Sequence, residues 1–283
     1  ALDDAYNQAV YAPNMAQVMQ RCADNSAAVR QRLGQPLRFA YGESAVEALD
    51  VYTTQRPDAP VAVFIHGGAW RSGVAADYAF AAELFVRAGA HFVVPDFAPV
   101  QDLGGNLALM AAQVRRAVAW VYRNASRFGG DARRIHVMAH SSGAHLAGVV
   151  LTTDWPGSFG LPPHLVKGGL VCSGMFDLKP VRLSARSSYV SITDEIEQAC
   201  SPQRHLAHLH APLIVAWGTL ETPEFIRQSR EFAAAVSAAG KPVQTLVAEG
   251  ANHFEVIESL AEPAGLLGRA ALQQMGLDAA WVG

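Results

Sequence analysis

The segment Arg134-Ile-His-Val-Met-Ala-His-Ser-Ser-Gly-Ala-His-Leu-Ala-Gly-Val-Val-Leu151 places an apolar, β-branched run directly before small residues and a helical pattern. This order predicts a buried strand, a sharp turn and a helix, with Ser141 at the apex of the turn. Ala139 and Gly143 supply the small neighbours that a serine in such a strained turn requires. The turn would hold the hydroxyl clear of the sheet, at a helix N-terminus whose free N–H groups can stabilise an oxyanion.

A second stretch, Val61-Ala-Val-Phe-Ile-His-Gly-Gly-Ala-Trp70, is typical of a buried strand that ends in a loop. A His-Gly-Gly loop after the third strand is typical of the oxyanion hole in the α/β-hydrolase fold. The backbone N–H groups of Gly67 and Gly68, joined by that of Ser142, would bind the oxyanion. The serine motif alone is equally compatible with an ordinary strand-to-helix turn, so the hydrolase interpretation depends on both stretches.

Strand and helix patterns alternate along the chain, which is typical of parallel βαβ units. The predicted strands cover 37–41, 48–54, the run before His66, 91–97, the run before Ser141, 166–173, 212–218 and 243–248. The predicted helices lie near 75–88, at about 106–128, after Ser141, after Pro223 and from His253 onwards. We therefore expect an α/β-hydrolase fold with a mostly parallel, eight-stranded, doubly wound sheet and helices on both faces.

Two parts of the chain are expected to lie outside this alternation. Residues 1–36 carry helical spacing and predict an N-terminal helix laid over the domain or over the mouth of the site. Residues 154–210 are mostly irregular and are expected to shape the substrate pocket. We expect the whole chain, 1–283, to form a single domain, because α/β folds of this length are often undivided.

Composition and charge exclude several classes of partner. The net charge of −3 is built from charges of both signs scattered along the chain, so we expect neither nucleic acid nor a membrane as partner. Cys22, Cys172 and Cys200 are far apart and odd in number, which argues against a disulfide framework. Without a signal-peptide pattern, the expectation is a cytoplasmic protein, as a monomer or homodimer.

A nucleophilic serine needs a histidine base and an acid that orients the histidine. In the α/β-hydrolase fold these residues occur in the chain order serine, acid, histidine. His253 follows a predicted strand and a Gly-Ala-Asn loop, where this order places the base. For the acid we favour Glu221, in the loop after the seventh strand. Asp177, after the sixth strand, and Glu224 remain alternatives, although Glu224 also suits the first turn of a helix.

The remaining histidines invite a metal site, but their spacing does not match a usual zinc signature. His205, His208 and His210 form one such group, while His140 and His145 flank the serine. We therefore expect no metal and no cofactor. A packing or hydrogen-bonding role is expected for His145 rather than that of a second base.

Five motifs in order resemble the α/β-hydrolase kynurenine formamidases (arylformamidases), a family related to His-Gly-Gly carboxylesterases. They are Phe64-Ile-His-Gly-Gly-Ala-Trp-Arg-Ser-Gly73, Ala139-His-Ser-Ser-Gly-Ala-His-Leu146, Gly169-Leu-Val-Cys-Ser-Gly-Met-Phe-Asp-Leu178, Thr222-Pro-Glu-Phe-Ile-Arg-Gln-Ser229 and Asn252-His-Phe-Glu-Val-Ile257. The resemblance covers nearly the whole chain. It implies Ser141 as nucleophile, His253 as base, Gly67 and Gly68 as oxyanion donors, and an acid at 221, where the family usually has aspartate.

The expected activity is cofactor-free hydrolysis of an N-acyl aromatic amide by a serine nucleophile, with N-formylkynurenine or a related aryl formamide as first choice. A carboxylesterase for small or aromatic esters would use the same residues. A binding protein on a hydrolase scaffold is the alternative from another class. Trp70, Trp155, Phe176 and Tyr189 are candidates for contacting the substrate ring, and packing in the core or on the surface is the alternative for each.

Overall fold

The computed structural model describes residues 2–277, and within them eight strands form one sheet. The strands are β1 (Leu37–Ala40), β2 (Ala48–Tyr52), β3 (Ala59–Ile65), β4 (His91–Pro95), β5 (Gly130–His140), β6 (Val166–Cys172), β7 (Leu213–Gly218) and β8 (Val243–Ala248). Their order is β1-β2-β4-β3-β5-β6-β7-β8. The pairs β1–β2 and β2–β4 are antiparallel and the others are parallel, which confirms the mostly parallel sheet.

Helices cover both faces of the sheet, each over its own apolar core. The helices are α1 (Leu2–Ala5), α2 (Met15–Leu33), α3 (Ala82–Arg87), α4 (Leu107–Asn124), α5 (Ser142–Leu151), α6 (Trp155–Phe159), α7 (Leu178–Arg182), α8 (Asp194–Ala199), α9 (Pro223–Ala238) and α10 (Leu266–Gln274). The core that contains buried residues of α4, α5 and α9 lies on one face, and the core that contains those of α3 and α10 lies on the other. The inner strands β3, β4, β6 and β7 are almost entirely buried, as parallel strands covered on both faces are expected to be, whereas the edge strands β1 and β8 are largely exposed or partly buried.

Two predicted helices are shorter than the sequence pattern indicated. The pattern near 75–88 forms a 3-10 turn at Ala75–Tyr78 and then α3. The prediction of a last helix that begins at His253 is wrong, because Val256–Ala261 is a 3-10 turn and α10 begins at Leu266. Pro263 has no N–H to continue a helix, and Gly265 lies so close to the Ser259 carbonyl that a Cβ would be 2.3 Å from its oxygen.

The predicted N-terminal helix is confirmed as α2, which ends before Gly34 at a positive φ of 83°. The Ser26 hydroxyl donates to the Asp77 carbonyl at 2.8 Å, which ties α2 to the turn before α3. Arg21 of α2 pairs with Glu258, which lies in the 3-10 turn that follows His253. None of the helices in the described part of the chain is both long and apolar enough to cross a bilayer.

Candidate active site

The carboxyl ends of the central parallel strands meet at one edge of the sheet, and Ser141 stands there between β5 and α5. Its backbone has φ 57° and ψ −128°, a conformation that costs a non-glycine residue on the order of 1–3 kcal/mol. The Ser141 N–H donates to the Cys172 carbonyl of β6 at 2.9 Å, and the N–H of Ala144 donates to the Ser141 carbonyl at 2.9 Å. The predicted strand, turn and helix therefore form, with the serine in the strained position.

Close backbone contacts explain the small residues of the serine motif. A Cβ on Gly143 would lie 2.2 Å from the Ile65 carbonyl oxygen and 2.4 Å from that of His66. A Cβ on Gly67 would lie 3.0 Å from the Cβ of Ser141. The two loops therefore pack backbone against backbone, which only glycine permits at position 143. Ala139 lies inside β5, where a methyl group is accommodated without exposure to solvent.

A hydrogen-bonded series joins three of the predicted residues. His253 Nε2 lies 2.8 Å from Ser141 Oγ, and His253 Nδ1 lies 2.7 Å from Glu221 Oε2. Both spacings are within the range for proton transfer and for orienting an imidazole. The rings of Phe225 and Phe254 flank His253 with centroid distances of 4.8 and 5.1 Å. The structure thus brings the serine, the histidine and the favoured acid together.

The Glu221 carboxylate is buried and accepts four hydrogen bonds. Oε1 accepts from the Ser173 hydroxyl at 2.5 Å and from the Gly218 N–H at 2.7 Å. Oε2 accepts from the Gln8 amide at 3.3 Å as well as facing the histidine. A buried carboxylate with this many donors is held in one orientation. Burial raises the pKa of the Cys172 thiol, and the nearby negative charge of Glu221 raises it further.

The two alternative acids lie in other networks. The Asp177 carboxylate caps α7 by accepting from the Lys179 N–H at 3.2 Å, and it faces Arg204 at the same distance. Glu224, in the first turn of α9, accepts from the Tyr6 hydroxyl at 2.7 Å and pairs with Arg227. Burial raises the pKa of Glu224, but the hydrogen bonds from Arg227 and Tyr6 outweigh that and leave it lowered. Each of these carboxylates therefore has a structural partner of its own.

The loop after β3 is held in shape by His66 and by its contact with the serine turn. His66 Nδ1 donates to the Gly67 carbonyl at 2.7 Å, and its ring is stacked between Tyr78 and Phe97. Burial lowers the pKa of His66, so the ring is neutral and acts as a donor. Gly68 has φ +117°, and a Cβ there would lie 2.1 Å from the Ser72 carbonyl oxygen. The glycines that were predicted as oxyanion donors are thus required by the shape of this loop.

The two histidines that flank the serine are neutral hydrogen-bond donors. His140 Nε2 donates to the His253 carbonyl at 2.7 Å, which fixes the backbone of the histidine loop. His145 accepts from Trp70 Nε1 at 3.2 Å and donates to the Cys200 carbonyl at 2.8 Å. Burial lowers the pKa of His140 to about 3 and that of His145 to about 4. The hydrogen-bonding role expected for His145 matches these contacts.

Several contacts of the site were missed from the sequence. Gln8 accepts from the Thr222 N–H at 3.1 Å in addition to donating to Glu221, although more than two hundred residues separate them. Such a pairing leaves no local signal. Ser173 has a positive φ of 56° directly after β6, and its place at the end of a predicted strand could have singled it out.

A cavity of about 350 Å³ opens beside the Gly67-Gly68 loop. Its wall comes mainly from the N-terminal helix and from residues 67–78, with Phe254 and Ile257 after His253. The segment 154–210, which was expected to shape the substrate pocket, does not line this cavity. The apolar side chains and the thiol that line it are Val18, Met19, Cys22, Tyr78, Phe254 and Ile257. Helix α2 therefore lies over the site, which was one of the two positions expected for it.

The aromatic candidates divide between core and surface. Trp155 and Phe176 are buried in the core, where Phe176 stacks on Phe232 at 4.0 Å, so the packing alternative describes both. Trp70 is also buried, and its backbone N–H donates to the Ser142 hydroxyl at 3.2 Å. Tyr189 is only partly buried.

The histidine cluster shows no metal-binding geometry. His205 Nε2 donates to the Gln198 carbonyl at 2.7 Å, and His210 packs edge-to-face on His164 at 4.6 Å. Within residues 2–277 no three His, Cys, Asp or Glu side chains are grouped so that they could hold a metal ion.

We predict that Gly143→Ala destabilises the protein by at least the upper part of the roughly 1–3 kcal/mol typical of overpacking, because its methyl group would meet two backbone carbonyls. Gly148→Ala, in the same helix, is the matched control, since its methyl group would meet side chains and no backbone, namely the Pro202 ring at 2.8 Å and the Phe176 ring at 3.3 Å. Urea unfolding monitored by circular dichroism gives both values. Equal losses of stability would contradict the explanation given for the motif.

Comparison with known proteins gives the family. Residues 49–156 match the BD-FAE family. The chain is 33% identical to kynurenine formamidase from Danio rerio over 83% of this chain and 80% of that protein. It is 26% identical to an isoprenylcysteine alpha-carbonyl methylesterase from Arabidopsis thaliana, over 77% of this chain and 56% of that protein.

A solved structure shows the same fold. The esterase LipW from Mycobacterium marinum superimposes with a TM-score of 0.72 at 20% identity, over 96% of this chain and 89% of that one. The predicted α/β-hydrolase fold is thereby confirmed, and the protein is a hydrolase that acts on amides or esters. Its identity to the formamidase over at least 80% of both chains shows that it belongs to the kynurenine formamidase family of α/β-hydrolases.

Proposed function

We propose that the protein is a serine hydrolase that cleaves an N-formyl aromatic amide, such as N-formylkynurenine, through an acyl-enzyme. The observation that carries this proposal is the hydrogen-bonded series Ser141, His253 and Glu221 in a chain of the kynurenine formamidase family. Serine is a weak nucleophile until a base removes its proton, and an imidazole can do so only in the correct tautomer. The series supplies both requirements.

In the first step, Ser141 Oγ attacks the formyl carbon while its proton passes to His253 Nε2, 2.8 Å away. The Glu221 carboxylate accepts the Nδ1–H, which selects the tautomer and stabilises the imidazolium that forms. The negative charge that develops on the formyl oxygen would be met by the backbone N–H groups of Gly67, Gly68 and Ser142. Such fixed donors are worth on the order of 3–4 kcal/mol each in comparable enzymes.

Collapse of the tetrahedral intermediate breaks the C–N bond, and the His253 imidazolium gives its proton to the leaving amine. The aromatic amine departs and leaves a formyl ester on Ser141. Water then attacks this ester with His253 as base, and formate and the free serine result. No cofactor takes part in these steps, which need only the side chains and backbone groups named.

The shape of the site supports a small acyl group and an aromatic amine. Gly67 lies in backbone contact with the serine turn, which leaves little room next to the nucleophile. The cavity beside that loop is at the lower end of the roughly 300–1,000 Å³ typical of ligand pockets and is walled by apolar side chains. We assign the substrate's ring to this cavity, against Tyr78 and Phe254.

We predict that Ser141→Ala abolishes turnover by several orders of magnitude while the protein stays folded, because the nucleophile is lost from a turn apex that contributes little packing. Steady-state kinetics and circular dichroism are the two measurements. Ser158→Ala, at an exposed position in α6, is the control and should match the wild type. A fluorophosphonate should label Ser141 in the wild type. Retained activity in the variant would refute the mechanism.

We predict that Glu221→Gln lowers kcat far more than Asp177→Asn. Only Glu221 faces the imidazole, so an amide there can favour the wrong tautomer and cannot stabilise the imidazolium. The loss of the Asp177 charge affects only the cap of α7 and the pairing with Arg204. Rates measured for both variants at one saturating substrate concentration decide the ranking. A reversed ranking would move the acid to the loop after β6.

We predict that kcat/KM for an N-formyl aromatic amine exceeds that for the matching N-butyryl amide, because the crowded turn favours the smallest acyl group. Short p-nitrophenyl esters should be cleaved as a side activity, since a phenolate leaves without the proton that an amine requires. Purified protein assayed against such matched pairs provides the test. Efficient ester cleavage with no turnover of any aryl formamide would instead favour a carboxylesterase, in line with the methylesterase relative from Arabidopsis thaliana.

A further inference from the structure

Trp70 is fastened at three points although it lies in a loop. Its backbone N–H donates to the Ser142 hydroxyl at 3.2 Å, its carbonyl accepts from the Val100 N–H at 2.8 Å, and its indole Nε1–H donates to His145 Nδ1 at 3.2 Å. The side chain is buried, and its ring packs edge-to-face on that of His145 with centroids 5.3 Å apart. Trp70 therefore anchors the loop after β3.

The anchored loop has a strained backbone. Ala69 and Trp70 have φ of 54° and 62°, a left-handed region that residues other than glycine occupy only where the surrounding contacts over-determine it. The Gly68 carbonyl accepts from the N–H groups of Arg71 and Ser72 at 2.9 and 3.2 Å, so the loop closes as one hydrogen-bonded turn. Gly68 therefore moves with Trp70, and the position of its N–H depends on the anchor.

Ser142 connects this turn to the nucleophile. It follows Ser141 in the chain, is buried and begins α5. Its backbone N–H is one of the three proposed oxyanion donors, while its hydroxyl accepts from the Trp70 N–H. The same residue therefore provides one donor and fixes the loop that provides the other two.

His145 presents a fixed acceptor to the indole. It is fully buried in α5, and its Nε2–H donates to the Cys200 carbonyl at 2.8 Å. This bond places the ring proton on Nε2 and leaves the lone pair of Nδ1 for the Trp70 indole. Burial lowers the pKa of His145 to about 4, so the ring keeps this acceptor at neutral pH. Since Ser142 is also part of α5, the loop is fastened twice to the helix that follows the nucleophile.

We propose that Trp70 is a clamp, held by Ser142 and His145, that keeps the oxyanion donors of its loop at their working distance from the nucleophile. This inference rests on the proposed function, because the donors belong to that reaction. The Ser142 hydroxyl and His145 are positioning residues, which act through the loop backbone and take no part in the proton transfers. Loss of the clamp should raise the energy of the transition state and leave substrate binding unchanged, since the oxyanion charge develops only in the transition state.

The test replaces His145 by glutamine and by asparagine. Glutamine carries its amide nitrogen close to the position of Nε2, so it keeps a donor for the Cys200 carbonyl but no acceptor for the indole. Asparagine carries its oxygen close to the position of Nδ1 and keeps that acceptor. His145→Gln should lower kcat for formanilide by about tenfold or more at an unchanged KM, because misplacement by about 1 Å costs on the order of 10²-fold. His145→Asn should lose far less.

A transition-state analogue distinguishes positioning from a general loss of structure. Trifluoroacetophenone forms a hemiketal when Ser141 Oγ adds to its carbonyl carbon, the serine proton passes to His253 and the carbonyl oxygen becomes an oxyanion. Its inhibition constant should rise in His145→Gln by about the same factor as kcat falls. A fall in kcat without weaker inhibition would overturn the clamp, because the damage would then lie outside the oxyanion donors.

Ser142→Ala tests the clamp from its other end and keeps the backbone N–H of residue 142. It should lower kcat and weaken inhibition by the ketone as His145→Gln does. The double variant should be little worse than either single variant, since both changes release the same loop. Additive losses, or wild-type kinetics in Ser142→Ala, would overturn the clamp. If His145→Gln does not fold, Ser142→Ala, which removes only a hydroxyl, decides the question.

His136→Gln is the matched control. His136 is also a buried histidine whose pKa is lowered by burial to about 4, but it lies within β5 and donates to the Arg134 carbonyl at 3.3 Å. The control should keep the wild-type kcat and inhibition constant even where its unfolding temperature is lower. An equal loss of kcat in His136→Gln and His145→Gln, or in the two His145 variants, would contradict the proposal.

The proposed substrate and the clamp can fail separately. If the wild type cleaves p-nitrophenyl acetate but no aryl formamide, the proposed function fails, and the variants are then compared by kcat for the ester and by inhibition with the ketone. The expected ranking is the same, since an ester also develops an oxyanion. Turnover of formanilide that is equal in the wild type and in His145→Gln would refute the clamp alone.

Discussion

The site depends on the backbone contact between Gly143 and the end of β3. Because the carbonyls of Ile65 and His66 lie where a side chain at 143 would be, the first turn of α5 presses against the loop that carries Gly67 and Gly68. This contact fixes the distance between the strained serine and the N–H groups of the loop. A larger residue would separate the proposed nucleophile from the proposed oxyanion donors even if both were chemically intact, and misplacement by about 1 Å costs on the order of 10²-fold in rate.

The sheet could be predicted because its inner strands are buried on both faces and give continuous apolar runs between turn residues. The predicted strand at 243–248 agrees with β8, and that at 166–173 differs from β6 by one residue. The helix from His253 was wrong because its pattern ignored Pro263 and the close approach at Gly265. Local propensity locates elements well, whereas a tertiary contact between two backbones decides where a helix can begin.

The residues of the candidate site could be predicted where they lie in short sequence motifs. Ser141 and the two loop glycines stand in short motifs, and chain order placed His253. The sequence favoured Glu221 but did not exclude Asp177 and Glu224, because each follows a strand or begins a helix and only the fold shows which faces the imidazole. The role of Gln8 could not be predicted from the sequence, since its contact with Glu221 joins residues that are 213 positions apart in the chain.

The glutamate at 221 shows how the fold accommodates a longer acid than the aspartate usual in the family. Its Oε1 turns back to the N–H of Gly218, at the end of its own strand, and to Ser173, so the additional methylene is taken up within the loop. This leaves Oε2 for His253, with Gln8 as its second donor. The N-terminal segment therefore contributes to the site twice, since it supplies a hydrogen bond to the acid through Gln8 and a wall of the cavity through α2. A chain that lacked this segment would keep the proposed nucleophile, base and acid, but it would lose the buried environment in which a carboxylate–imidazole pair is strongest.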